Sequence, residues 1–185
     1  MKIISLSDQD TISILPETAI IRKGYPFFIP NIEEEWVLSL RLAVTIDRLG
    51  KAIQAKFANR YYNSIAIALK AEQKIVGTNT NAIPEGFDSS IMISEKADFQ
   101  EPFAFHITSL PSARDKGEII WQRKEVLTYS KEKIDRTVEI GSRHFTLHTG
   151  DMLLLNVFSL SLPVVTDSRI SVMNGGETIL THKIK

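Results

Sequence analysis

The chain has 185 residues, with 22 lysines and arginines against 22 aspartates and glutamates, so its formal net charge is zero and no overall field draws it to nucleic acid or to an anionic membrane surface. It contains no cysteine, which excludes disulfides, thiolate nucleophiles and cysteine-ligated zinc or iron–sulfur centres, so any metal would need carboxylates or histidines. Asp8 and Asp10 interrupt the apolar start Met1–Leu6, and no apolar run approaches the ~20 residues of a membrane span; the expectation is a cytoplasmic protein with one domain over residues 1–185 that binds neither nucleic acid nor membrane.

Short β-prone runs open the chain at Lys2–Leu6, Thr11–Leu15, Ala19–Ile21 and Phe27–Ile29, separated by turn chemistry at Asp8, Asp10, Pro16 and Lys23-Gly24-Tyr25-Pro26. Two longer runs follow, and their alternation fixes which face each side chain takes. In Trp36–Ile46, Leu38, Leu40, Leu42, Val44 and Ile46 point one way while Val37, Ser39, Arg41, Ala43 and Thr45 point the other. In Ser64–Lys70, Ile65, Ile67 and Leu69 oppose Ser64, Ala66, Ala68 and Lys70. Between them Asp47-Arg48-Leu49-Gly50 reads as a turn, and Ala52–Tyr62 as a short helix with Ile53, Phe57 and Tyr61 at four-residue spacing.

Gly77–Pro84 has the composition of a surface loop. Phe103–Leu110 and Glu118–Trp121, around a loop at Pro111–Gly117, predict a long hairpin. Ser130 is placed to cap a helix running to about Ile140, with Ile134 and Val138 on one face and Gly141 near its end. Phe145–Leu147, Met152–Leu162, Arg169–Met173 and Thr178–Ile184 complete the strands, with turns at Gly150-Asp151 and Asn174-Gly175-Gly176. The predicted class is mostly β (α+β), a curved sheet or sandwich with two short helices.

Few residues point to chemistry. His106 and His182 stand apart from His144 and His148, and the last two, read as strand positions four apart, lie about 13 Å from each other, too far to share a metal. Ser89-Ser90 has no histidine nearby to activate it, and no phosphate-cradling glycine loop is present. Glu33-Glu34-Glu35 reads as a solvated strand entrance, or else Glu35 turns inward as a counter-charge for Arg41. Arg41 and Lys70 are more telling, since a cation in the middle of a strand face of small groups must be paired, wetted or turned to the edge, or else must line a cavity for anions.

In chain order, Lys23-Gly24-Tyr25-Pro26-Phe27-Phe28-Ile29-Pro30, Ile46-Asp47-Arg48-Leu49-Gly50-Lys51-Ala52-Ile53, Phe57-Ala58-Asn59-Arg60-Tyr61-Tyr62, Gly86-Phe87-Asp88, and Phe145-Thr146-Leu147 with Gly150-Asp151 resemble the fumarylacetoacetate hydrolase superfamily, in particular the bacterial 2-hydroxyhepta-2,4-diene-1,7-dioate isomerase branch. The resemblance covers nearly the whole chain. It implies mixed, curved β-sheets forming a roll or sandwich, usually dimeric, that hold Mg²⁺ or Mn²⁺ on three carboxylates and cleave, decarboxylate or isomerise 2-oxo acids. Aligned on this pattern, the paired metal-binding glutamates fall on Ser39 and Arg41 and the metal-binding aspartate on Lys70. The lysine before the Phe-Asp pair becomes Glu85, the Thr-Gly-Thr-Pro turn over the substrate becomes Leu155-Asn156-Val157-Phe158, and the N-terminal His/Glu lid is shortened.

A hard divalent cation needs several oxygen ligands, most of the attraction coming from anionic ones, and a hydroxyl with two cations reverses that charge. The expected protein has no metal, no cofactor and no catalytic residue. It is a degenerate member serving as a scaffold or binding module, as a homodimer or paired with an active relative. Two alternatives stand beside this: a metal-free binder of small carboxylates or 2-oxo acids through a candidate anion site of Arg41, Lys70 and Ser39, and residual hydrolase, isomerase or decarboxylase activity with groups recruited from Glu35, Glu72 or Glu85.

Overall fold

The alternation along the two long strands organises the molecule. In a computed structural model that describes residues 1–6, 12–31, 35–74, 85–95, 103–112 and 118–185, the strands are β1 (Ile3–Leu6), β2 (Ile12–Leu15), β3 (Trp36–Ile46), β4 (Tyr62–Gln73), β5 (Ile91–Ile93), β6 (Phe103–Pro111), β7 (Trp121–Leu127), β8 (Met152–Leu155), β9 (Ser161–Pro163), β10 (Ser168–Asn174) and β11 (Glu177–Ile184), with one α-helix, α1 (Lys131–His144). The larger sheet runs β2-β1-β8-β3-β4-β5 with β9 beside β3; the smaller runs β11-β10-β6-β7. Among the described residues, β1 and β8 are the one parallel strand pair of the larger sheet, so the fold is mostly β with mixed sheets.

The bulky face of β3 forms the main core. Leu38, Leu40, Leu42, Val44 and Ile46 are all fully buried and meet Ile67 and Leu69 of β4, Phe103, Phe105 and Ile107 of β6, Ile170 and Val172 of β10, and Ile134 and Val138 of α1. The opposite face is also buried, around a second and smaller core of Ile3, Leu15, Ala19, Ala43, Ala66, Ala68, Ile91, Met152 and Leu154. The larger sheet curls far enough that the segment after β2 meets its far edge: Ile20 bridges Ile91, and the Ile21 amide donates to the Ile91 carbonyl at 2.8 Å. Ala43 sits opposite Ala66 inside this curl, where larger side chains would collide. The result is an open roll with an alanine-lined interior.

Several segments depart from the sequence expectation for identifiable reasons. Ala19–Ile21 and Phe27–Ile29 are not strands: Glu17–Ala19 is a 3-10 turn, and Ile20 and Phe27 each make a single bridge. The helix expected over Ala52–Tyr62 shortens to a 3-10 helix at Ala55–Arg60, because the amides of Ala52 and Ile53 bond to the Ser142 carbonyl and hydroxyl at the end of α1, both at 2.9 Å. Ser130 is the N-cap residue, without a side-chain bond, and the helix continues past Gly141 to His144. Phe145–Leu147 contributes only a bridge from Leu147 to Gly50. The run Met152–Leu162 divides into β8 and β9, which pair with one edge of β3 at Leu42–Thr45 and Val37–Ser39; the residues between them loop out around Leu40. The hairpin of β6 and β7 is present, but Glu118–Ile120 precede the strand. The loop at Gly77–Pro84 lies outside the described residues, as does most of Pro111–Gly117.

Asp151 ties the two parallel strands together at their start. It is 3% exposed; its Oδ1 accepts from the Lys2 amide at 3.0 Å, and its Oδ2 from the His148 amide at 2.8 Å and from the Lys2 ammonium. Burial alone would push this carboxyl up, but the bonds from Lys2 and His148 outweigh it and hold it below the usual range. Asp151→Ala strands two backbone donors and is expected to lower the free energy of unfolding by about 2–3 kcal/mol, read from urea denaturation at pH 7.

Candidate functional site

Inside the roll, beyond the alanine level, the lining turns polar. Ser39 and Arg41 of β3 lie on the same face as Lys70 and Glu72 of β4, with Ser39 directly opposite Lys70 and Arg41 opposite Ala68. Ser5 joins them from β1, and Glu85 comes in from the segment before β5. Lys70 is 2% and Arg41 9% exposed, burial that is costly for cations unless each has a partner.

Both have one. An Arg41 Nη donates to Glu72 Oε1 at 2.6 Å, and Arg41 Nε donates to Ser39 Oγ at 3.0 Å. The same Glu72 oxygen lies 3.2 Å from Lys70 Nζ, which also donates to Glu85 Oε1. Ser39 Oγ donates to the Lys70 carbonyl at 3.3 Å. The Glu85 carboxylate takes a further bond from Ser5 Oγ at 3.3 Å, also on Oε1, and the Ser13 side chain helps to hold its pKa down. Two cations and two carboxylates thus form a chain, Arg41–Glu72–Lys70–Glu85, of zero net charge. It meets solvent at its carboxylates, whose side chains are 30% and 43% exposed in Glu72 and Glu85.

Burial raises the pKa of both glutamates, but the charge of Arg41 and then of Lys70 prevails at Glu72, and the bonds from Lys70, Ser13 and Ser5 prevail at Glu85, so both carboxyls end below their usual range.

Arg41, Lys70 and Ser39, the candidate anion site, therefore converge, but Arg41 is engaged by Ser39 and Glu72. Glu35 does not supply its counter-charge: Glu35 pairs with Lys74 at 2.6 Å on the surface. Glu72 was legible two residues beyond Lys70 on the same strand face, whereas Glu85, Ser5 and Ser13 arrive from other elements. The histidines lie elsewhere, and His144 and His148 are not on a strand: His144 ends α1 and His148 sits 3.2 Å from the Lys2 ammonium. His106 contacts Gln122 at 3.1 Å and His182 the Tyr25 carbonyl at 3.4 Å.

No protein-family model matches the sequence, and no curated protein does. Solved structures do. A fumarylacetoacetate hydrolase family protein from Yersinia pestis CO92 superposes with a TM-score of 0.69 at 21% identity over 100% of this chain and 92% of that one. The fold is the fumarylacetoacetate hydrolase fold. The 2-hydroxyhepta-2,4-diene-1,7-dioate isomerase of Mycobacterium marinum gives a TM-score of 0.69 at 20% identity over 99% of this chain and 73% of that one. Fumarylpyruvate hydrolase from Pseudomonas aeruginosa, in a complex with Mn²⁺ and pyruvate, gives 0.68 at 13% identity over 100% and 89%.

A divalent cation does not fit the cluster in this fumarylacetoacetate hydrolase fold. Both carboxylates are already bonded to cations, and among the described residues no three metal-ligating side chains come together. The cluster as a whole carries no net charge, so a doubly charged ion gains no overall attraction there and would have to displace Arg41 and Lys70 from the carboxylates they already hold.

Two predictions follow from these contacts. Carboxyls held below their ordinary value stabilise the fold above the unfolded pKa, ~4 for these groups, and that stability is lost as pH falls through the folded values. Unfolding free energy, measured by urea denaturation, should therefore decline from about pH 5 towards pH 3. Lys70→Met leaves Glu85 without its ammonium and Glu72 with Arg41 alone; because both carboxylates are partly solvated, the expected cost at pH 7 is about 1–3 kcal/mol, below that of a fully buried broken pair. Adding Glu85→Gln should recover part of it, a non-additivity that a double-mutant cycle measures.

Proposed function

We propose that the chain is a non-catalytic protein of the fumarylacetoacetate hydrolase fold, one domain over residues 1–185, acting in the cytoplasm as a scaffold or binding module, as a homodimer or paired with an active relative. The observation that carries this reading is the bond of the Lys70 ammonium to Glu85, with Glu72 shared between Lys70 and Arg41: fixed positive charge stands where the resemblance puts carboxylate ligands, and the nearby carboxylates are spent on it. Agreement with the solved neighbours over the full length supports the architecture. Among the described residues no helix is long and apolar enough to cross a membrane.

A second reading, binding of small carboxylates without a metal, is favoured by one observation. The cluster already seats a carboxylate, that of Glu85, on the Lys70 ammonium and the Ser5 hydroxyl. The third reading, residual activity on 2-oxo acids, would draw on Glu72 and Glu85, both of which are engaged by Arg41 and Lys70 in the cluster.

Isothermal titration with Mg²⁺ and Mn²⁺ should give no heat of stoichiometric binding at micromolar to high-micromolar concentrations, and assays of acylpyruvate hydrolysis and oxaloacetate decarboxylation should show no turnover above the Arg41→Ala variant. Stoichiometric micromolar metal binding, or turnover abolished by Arg41→Ala, would overturn the proposal.

A further inference from the structure

The groups around the Glu85 carboxylate come from three separate elements. Lys70 lies on β4 and Ser5 on β1, and both donate to Glu85 Oε1; the Ser13 side chain, on β2, helps to hold the pKa of the same carboxyl down. Ser5 and Lys70 are 4% and 2% exposed, and Ser13 is half-buried. An ammonium and a hydroxyl converging on one oxygen, with a second hydroxyl close by, are donors suited to a carboxylate.

The two glutamates of the cluster are held differently. Glu72 lies within β4, bracketed by Arg41 and Lys70, and stays as the permanent counter-charge of the cations. Glu85 lies outside any strand, with the more exposed side chain of the two. Rotation of that side chain into solvent would vacate the three donors while Arg41 and Lys70 kept Glu72.

We propose that Lys70, Ser5 and Ser13 form a recognition seat for the carboxylate of a small monocarboxylic acid, the 2-oxo acids included, and that Glu85 is its built-in competitor, occupying the seat until an external carboxylate displaces it. This deepens the second reading above and moves the seat away from Arg41 and Ser39, which are bonded to each other and to Glu72. Glu72 leaves the cation pair with roughly one uncompensated positive charge when Glu85 swings out, the charge that one carboxylate matches. A tethered competitor lowers apparent affinity by the fraction of time the seat is open; a seat filled by Glu85 more than about nine-tenths of the time weakens external binding at least tenfold.

The test is pyruvate and acetate binding by isothermal titration and thermal shift, in EDTA so that the outcome is independent of metal. Glu85→Ala should bind pyruvate at least tenfold more tightly than the unsubstituted protein, and Lys70→Met placed in the Glu85→Ala background should abolish the gain. Glu85→Gln, which keeps the shape of the side chain, provides the same comparison if the alanine variant does not fold, with circular dichroism as the check. A folded Glu85 variant with no gain in affinity for either acid overturns the proposal, and so does a gain that survives Lys70→Met. Metal binding or turnover in the unsubstituted protein would count against the non-catalytic reading and leave this outcome to be read separately.

Discussion

The ammonium of Lys70, almost wholly removed from water, governs this site. A buried unpaired charge costs several kcal/mol, so the surrounding elements must bring carboxylates to it, and two of them do: β4 supplies Glu72 from its own face and the segment before β5 supplies Glu85. Arg41, opposite Ala68 on the neighbouring strand, shares Glu72, so the two cations are coupled through one oxygen. Such an arrangement adds little net stability, because desolvation offsets attraction, but it is expensive to break from one side.

The curl of the larger sheet makes this placement possible. Ala43, Ala66 and Ala68 pack in the small core inside the curl where Ile20 reaches Ile91, and on the same face Arg41 stands opposite Ala68 and Ser39 opposite Lys70. The bulky face of the same strands is spent on the main core against the second sheet and α1. One periodicity therefore does two things: it anchors the sheet on one side and delivers charged groups to a narrow interior on the other. The architecture is shared with hydrolases and isomerases of the fumarylacetoacetate hydrolase fold, but a fold specifies where side chains point, and the chemistry depends on which side chains are there.

Much of this was readable from residue order. Trp36–Ile46 is a strand to the residue, both faces of the two long strands fall as alternation requires, and Arg41 and Lys70 stood out as cations among small groups. What escaped is what depends on distance along the chain. Asp151 meets Lys2 from 149 residues away, and Glu85 reaches Lys70 from 15 residues away, contacts without any local signature. The first expected helix was misjudged in pitch because Ser142 captures the amides that would have begun it, a tertiary override of local propensity. Ala19–Ile21 and Phe27–Ile29 had the composition of strands but find only single bridging partners at a sheet edge.

The central claim is that Lys70, held by Glu72 and Glu85, occupies the place a divalent ion would need. The most direct measurement is a crystal structure from millimolar Mn²⁺ at pH 7, with data collected at the manganese absorption edge. The account predicts no anomalous peak at the cluster and Lys70 Nζ bonded to both glutamates; a manganese peak coordinated by Glu72 and Glu85, with the Lys70 side chain turned aside, would contradict it.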